Sequence, residues 1–153
     1  MSGKVFRSVF ERRLGAVESH IESEFLSAFC TCAFENGYEC QKRPAGAGVI
    51  GVIPQFLIDR YRADFRISYE FYGTVAHWVV ECDGHAFHER TKEQAKRDRR
   101  RDRELQALDY RVLRFTGSEI NADPNGCAME VLNQIMDFQT DCLVEATDAT
   151  EAA

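Results

Sequence analysis

Val79-Val80-Glu81-Cys82-Asp83-Gly84-His85-Ala86-Phe87-His88 is the stretch from which the rest of the chain is read. Its apolar lead-in predicts a buried strand that ends in two acids. Residues two apart on a strand share a face, so Glu81 and Asp83 project side by side. Gly84 lets the chain turn after them, and His85 and His88 follow within reach. Neighbouring carboxylates repel and hold on to protons unless a cation lies between them. A folded chain tolerates such a cluster mainly where it binds or reacts with something.

The segment just before it supplies a third acid. Residues 62–71 alternate in polarity and predict a strand, with Asp64, Arg66 and Ser68 on one face and Ala63, Phe65 and Ile67 on the other. Gly73 turns this strand into the next, over residues 75–83, as a hairpin. Asp64 then lies beside Glu81 and Asp83, and three carboxylates on adjacent strands suit a divalent cation. The bland alternative is a solvated sheet edge, but an acid set in Tyr61-Arg62-Ala63-Asp64-Phe65 sits among apolar neighbours.

Working outward toward the start, Ser19 reads as an N-cap with Glu22 three residues on. Ile21, Phe25, Leu26, Phe29 and Ala33 follow at helical spacing, and Asn36-Gly37 ends the helix. Glu22 has two readings, a capping partner or an acid held near Glu81. Residues 38–43 and 49–58 are further strand candidates. Gln55 stands among apolar residues in the second, either facing solvent or reaching the acids.

In the other direction Thr91 starts a helix that runs to about Leu108. Between Glu89 and Glu104 it carries eight basic and five acidic residues. Gln94, Ala95, Asp98, Asp102, Leu105 and Leu108 fall on one side, and Lys92, Lys96, Arg99, Arg100 and Arg103 on the other. Asp98 and Asp102 on the packing side need partners such as Arg101 or Arg114. The basic side is either a solvated face or, given its excess of arginine, a surface for phosphates. Asp109 takes a helix-end backbone that glycine would take most easily. Residues 110–115 form a strand ending near Arg114, and Asn125 or Gly126 opens the last helix.

The chain has 153 residues, 44% hydrophobic and 29% charged, as expected of one folded domain. No apolar run approaches the roughly 20 residues of a membrane span, and Met1–Arg13 has no signal-like core, so a cytoplasmic location and no membrane partner are expected. Six cysteines then read as free thiols, and Cys30-Thr31-Cys32 with Cys40 lacks zinc-site spacing. The net charge of −6 is a property of the C-terminal part: residues 117–153 hold eight acids and no Lys or Arg, leaving 19 basic and 17 acidic residues in the remainder. The expected layout is an arm over 1–18, a folded domain over 19–140 and a disordered acidic tail over 141–153. Strands followed by helix, strand and helix predict a mixed α/β domain built on one sheet.

One ordered set of features goes further: Ser19-His20-Ile21-Glu22, Gln55, Tyr61-Arg62-Ala63-Asp64-Phe65, Glu81-Cys82-Asp83-Gly84 with His88, Asp98-x-x-Arg101-Asp102-x-x-Leu105, and Arg111-Val112-Leu113-Arg114-Phe115. This set resembles a bacterial family related to very-short-patch-repair endonucleases, within the restriction-endonuclease-like superfamily, over about residues 19–138. The resemblance implies a central mixed sheet flanked by helices and Mg²⁺- or Mn²⁺-dependent cleavage of DNA. It implies Asp64 and Glu81 as metal ligands, Glu22 as an assisting acid and His88 as a catalytic histidine. Asp83 stands where many relatives carry the Lys of Glu-x-Lys, and would act as a further ligand, leaving His88 or His85 as acid or base. Ala63 replaces the signature's Pro. Gln55 and Gln94 would orient water or phosphate, with Asp98 and Arg114 in support. Lys96, Arg97, Arg99, Arg100 and Arg103 would meet the DNA backbone. Cutting both strands implies a homodimer or sequential nicks. The rival reading is a nucleic-acid-binding module that kept the fold and lost the reaction.

Overall fold

A computed structural model describes residues 17–42, 46, 48–84 and 91–151. The expected His85 and His88 lie outside the described residues, as does most of the N-terminal arm. The element order is α1 (His20–Glu35), β1 (Glu39–Gln41), β2 (Val49–Ile58), β3 (Tyr61–Phe71), β4 (Thr74–Asp83), α2 (Lys92–Ala107), β5 (Tyr110–Thr116), α3 (Gly117–Ala122) and α4 (Pro124–Glu151). The five strands form one mixed sheet in the order β1-β2-β3-β4-β5. β1 and β5 run parallel to their neighbours, while β2–β3 and β3–β4 are antiparallel hairpins. This is a mixed α/β fold, a sheet flanked by helices.

Local chemistry sets most boundaries. The Ser19 hydroxyl accepts the Glu22 N–H and starts α1, and Asn36 followed by Gly37 at φ 85° ends it. Thr91 and Gln94 form a reciprocal capping box at the start of α2. Asp109, at φ 64°, adopts the left-handed conformation expected of it between α2 and β5.

The main core lies between α1, α4 and one face of the sheet. Phe25, Phe29, Ile50, Phe65, Trp78, Val80, Leu132 and Ile135 are fully buried there. Phe25 stacks near Phe29, Phe65 and Phe115, with ring centroids 5.5–5.9 Å apart. The other face carries only a small cluster of Ile58, Ala63, Val79 and Leu105, through which α2 is attached.

Three expectations are corrected. Ala63 does not share a face with Phe65 and Ile67: it packs in the small cluster while they pack in the main core. Opposite, Gln55 lies between the pairs Pro54↔Phe65 and Phe56↔Ala63 with φ 52°, and β2 changes face at the same level, from Val52 in the main core to Phe56 at the small cluster, with the register unchanged. The last helix begins at Pro124, earlier than Asn125 or Gly126, because Asp123 caps it by accepting the Gly126 N–H at 2.8 Å. The tail over 141–153 is helical through Glu151. Cys142 is buried against the core, and the Thr147 and Thr150 hydroxyls bond back to the carbonyls of Leu143 and Ala146. Among the described residues no helix is long and apolar enough to cross a membrane.

Candidate active site

Glu81 and Asp83 lie at the end of β4, alongside β5, with Glu81 in register with Arg114. Asp64 lies near the start of the antiparallel neighbour β3. Its Oδ2 accepts the backbone N–H of Cys82 at 2.7 Å, and the β3–β4 ladder begins one residue on, at Phe65. The carboxylate thus takes over an amide at the point where the two strands part. Glu22 arrives from the first turn of α1. That turn is pressed close because Gly117 has no side chain: a Cβ there would come within 2.6 Å of Ile21 Cδ1 and 3.5 Å of the Asp83 carbonyl.

Each acid already has a protein partner. Glu22 is buried and accepts from Ser19 Oγ at 3.0 Å, Glu18 N–H at 3.0 Å and Gln55 Nε2 at 2.8 Å. Glu22 thus serves the helix start, and its charge is felt at Asp64. Gln55 reaches the cluster rather than solvent, and its Oε1 is buried without a hydrogen-bond partner among the described residues. Glu81, only 5% exposed, accepts from Arg101 Nη2 of α2. Asp83 lies 3.9 Å from Arg114 Nη1. Arg114 is held by Asp102 through Nε at 3.1 Å and Nη2 at 2.7 Å, the partnership expected for that acid.

The electrostatics follow from burial. Desolvation raises the pKa of Asp64; the Cys82 N–H and Arg101 oppose the rise, while Glu22 and Asp83 add to it. Desolvation pushes Glu81 up to about 8, Arg101 and Arg114 pull it down, and Asp64 and Asp83 push it further up. Cys82, between the two acids, points into the main core, where burial and the surrounding carboxylates keep its thiol protonated. Arg114 is partly desolvated, yet its bond to Asp102 leaves its pKa raised.

Beyond Arg101, α2 carries a set of exposed cations. Lys96, Arg97, Arg99, Arg100 and Arg103 are exposed. Arg100 is paired with Glu104 at 2.8 Å, and Arg99 bonds to the Ala95 carbonyl. Gln94 does not reach the cluster, because its Oε1 accepts the Thr91 N–H in the capping box. Leu108 is 53% exposed, so the packing side of α2 narrows to Leu105, the helix's one fully buried residue. Asp98 is half-buried.

Asp64 feels the charges of Glu22 and Asp83, and Glu81 those of Asp64 and Asp83, yet among the described residues no three His, Cys, Asp or Glu side chains are arranged to hold a metal ion. A mixed sheet flanked by helices is the architecture expected of the resemblance. The family model REase_MTES_1575 matches residues 45–135, more than half of the chain. The chain belongs to this restriction-endonuclease-like family. Membership suggests a nuclease. The matched region holds Gln55, Asp64, Glu81, Asp83, α2 and Arg114, and leaves α1 with Glu22 outside. No curated protein and no solved structure matches the chain.

Arg101 is the residue that the sequence undervalues. There it is visible only as one possible counter-ion for an acid on its own helix, whereas its partner is Glu81, 20 residues away. The one signal available is the Asp98-x-x-Arg101-Asp102-x-x-Leu105 pattern, which puts Arg101 one turn before the anchoring Leu105.

Proposed function

We propose that the chain is a divalent-metal-dependent endonuclease that hydrolyses DNA phosphodiester bonds. The observation that carries this reading is a buried Glu81 beside a half-buried Asp64 where β3 and β4 part, next to a helix that exposes a row of arginines. Buried acids cost stability unless they are paired or protonated, so a cluster of them points to a site of binding or reaction. Asp83-Gly84 followed by His88 is what ties the reading to very-short-patch-repair endonucleases in particular.

The chemistry of these donors is the kind Mg²⁺ or Mn²⁺ would take, while the described side chains are not gathered to hold one in this structure. They are hard oxygens from Asp64, Glu81 and Asp83, with Glu22 assisting and the unpartnered Gln55 Oε1 alongside. When bound, such a cation neutralises charge on the phosphate and makes water a better nucleophile at neutral pH. The remaining work belongs to the chain. The Cys82 N–H orients Asp64, and Gln55 and Ser19 orient Glu22. Arg114 steadies Asp83 from its bond with Asp102. Lys96, Arg97, Arg99, Arg100 and Arg103 meet DNA phosphates, which positions the duplex without reading its sequence. His88, or His85, moves the proton.

A second reading, a nucleic-acid-binding module without catalysis, has one observation in its favour: Asp83 stands where a lysine would serve the reaction, and an acid brings no positive charge. Incubation of the protein with supercoiled plasmid and labelled oligonucleotides in Mg²⁺ or Mn²⁺, beside Asp64→Asn and Glu81→Gln, separates the two. Cleavage that disappears in both variants and in EDTA supports the nuclease. Salt-sensitive DNA binding kept by both variants, with no cleavage by any form, supports the binding module.

A further inference from the structure

Two of the six cysteines meet across elements that carry α1 to the edge of the sheet. Cys30 lies on α1 and is 1% exposed in the main core, while Cys40 lies on β1, half-buried and packed against the same core. Local chain geometry brings them level. Asn36 and Gly37 end α1, and the Tyr38 N–H then donates to the Ala33 carbonyl at 2.9 Å, so the chain doubles back along the helix. From Ala33 back to Cys30 is about 4.5 Å of helix, and from Tyr38 on to Cys40 about 7 Å of strand. Tyr38 and Cys40, two apart, share the face that packs on the core. The Cys30 thiol donates a hydrogen bond to the Cys40 sulfur, and that bond, together with burial, holds the Cys30 proton well above the usual thiol range.

The other four cysteines have different surroundings. The Cys32 thiol faces the Asn125 side-chain oxygen at 4.0 Å. Burial and nearby carboxylates raise the pKa of Cys32, Cys82, Cys127 and Cys142, which resist becoming the thiolate that reacts with an oxidant. β1 is a short strand at the edge of the sheet, joined to β2 over Glu39–Gln41. We propose that Cys30 and Cys40 are a redox pair: a peroxide converts them to a disulfide that ties β1 to α1, and a small-molecule thiol reverses it. Cys40, nearer solvent, reacts first. Its thiolate attacks one peroxide oxygen, an S–O bond forms, the O–O bond breaks, and the leaving hydroxide takes up a proton as water. The Cys30 sulfur then attacks the Cys40 sulfenic sulfur. An S–S bond forms, the S–O bond breaks, and the Cys30 proton departs with the hydroxyl as a second water. The two thiols lose two electrons and the peroxide gains them. Two strands separate β1 from β4, where Glu81 and Asp83 lie, and the proposal is independent of the nuclease reading.

The test uses the full chain as wild type, Cys30→Ala, Cys40→Ala and Cys32→Ala. Each is reduced, treated with hydrogen peroxide and alkylated. Cleavage after Glu35 and Glu39 separates the two cysteines, and non-reducing peptide mass spectrometry then identifies any link between them. Wild type and Cys32→Ala should lose the Cys30 and Cys40 thiols together and recover both in dithiothreitol. Cys30→Ala should stop at a sulfenic acid on Cys40, trapped by dimedone. Cys40→Ala should lose no thiol at the same dose. Oxidation should raise the melting temperature of the wild type by about 5 °C, since the bridge restricts the unfolded chain. Absence of the link in wild type, a link from Cys40 to Cys32, or an equal loss of thiols in Cys40→Ala overturns the pairing. Oxidation that dithiothreitol does not reverse overturns the switch, and a link that leaves the melting temperature unchanged or lowered overturns the tie between β1 and α1. Should Cys30→Ala fail to fold, Cys40→Ala, at the half-buried partner, and the peptide map decide the pairing.

Discussion

On one face of the sheet Phe25, Phe29, Phe65, Trp78, Leu132 and Ile135 pack without solvent between α1 and α4; on the other, α2 is attached through one fully buried leucine and a set of ion pairs. The first face is held by apolar area, at about 25 cal/mol per Å² removed from water. The second holds its helix through Leu105, Arg101–Glu81 and Arg114–Asp102, contacts whose net contribution is small but whose geometry is specific. The difference teaches where to look for stability and where for chemistry. The acids lie along the boundary, with α1 supplying Glu22 from the rigid side and α2 supplying Arg101 from the sparse one.

The largest effect should come from breaking the rigid side. Phe25→Ala removes a ring that touches three other aromatic residues and should lower unfolding free energy by about 3–5 kcal/mol in urea titration. Leu105→Ala should cost less, about 2–3 kcal/mol, because only a small cluster closes around it. Hydrogen exchange should then show α2 opening ahead of the rest, a sub-global event that Phe25→Ala does not produce. If both variants unfold the molecule as one unit, the two faces are not distinct in the sense argued.

Replacing Arg97, Arg99, Arg100 and Arg103 together by Gln should change unfolding free energy by less than about 1 kcal/mol, since exposed pairs such as Arg100–Glu104 contribute little. The same variant should flatten the slope of log affinity for DNA against log salt by about one for every phosphate it no longer neutralises. A stability loss comparable to Leu105→Ala would mean that the row holds the helix rather than DNA.

The smallest effect concerns His77, in the half-buried middle of β4 beside Tyr110. Burial, reinforced by Arg66, lowers its pKa, and Asp109 only partly opposes this. The folded state therefore resists a proton that the unfolded chain accepts below its ordinary value of about 6.5. Stability contributed by neutral His77 is present above that pH and is lost as pH falls toward the folded value. His77→Phe should flatten this acid limb of a melting-temperature profile, and an unchanged limb would assign it to other groups.

Most of the frame is legible in the sequence because short-range chemistry decides it. Ser19, Thr91, Asn36-Gly37, Gly73 and Asp109 each act within a few residues of themselves, and the elements end where they predict. Asp64, Glu81 and Asp83 can be brought together from the sequence because a hairpin relates them. What escapes depends on distant partners or on a choice between rival local ones. Strand alternation cannot foresee the reversal at the level of Gln55, where Ala63 and Phe65 pack on opposite faces. Helical spacing cannot tell whether Gln94 faces the acids or caps its own helix. Composition suggests a disordered end, but buried Cys142 and the local threonine bonds keep α4 wound through Glu151. Arg101 needs the third dimension, since nothing in the chain between residues 81 and 101 announces their contact.

Asp64 on β3 is both a candidate ligand and the acceptor for a backbone amide, so a single atom pair links the site to the sheet. Asp64→Ala would disturb both, whereas Asp64→Asn keeps an oxygen for the Cys82 N–H and removes only the charge. Deuterium uptake at that one amide becomes a natural gauge: slow while the carboxylate engages it, faster when a competitor draws the oxygen away. The molecule thereby carries its own reporter of occupancy in its main chain, with no label or dye required.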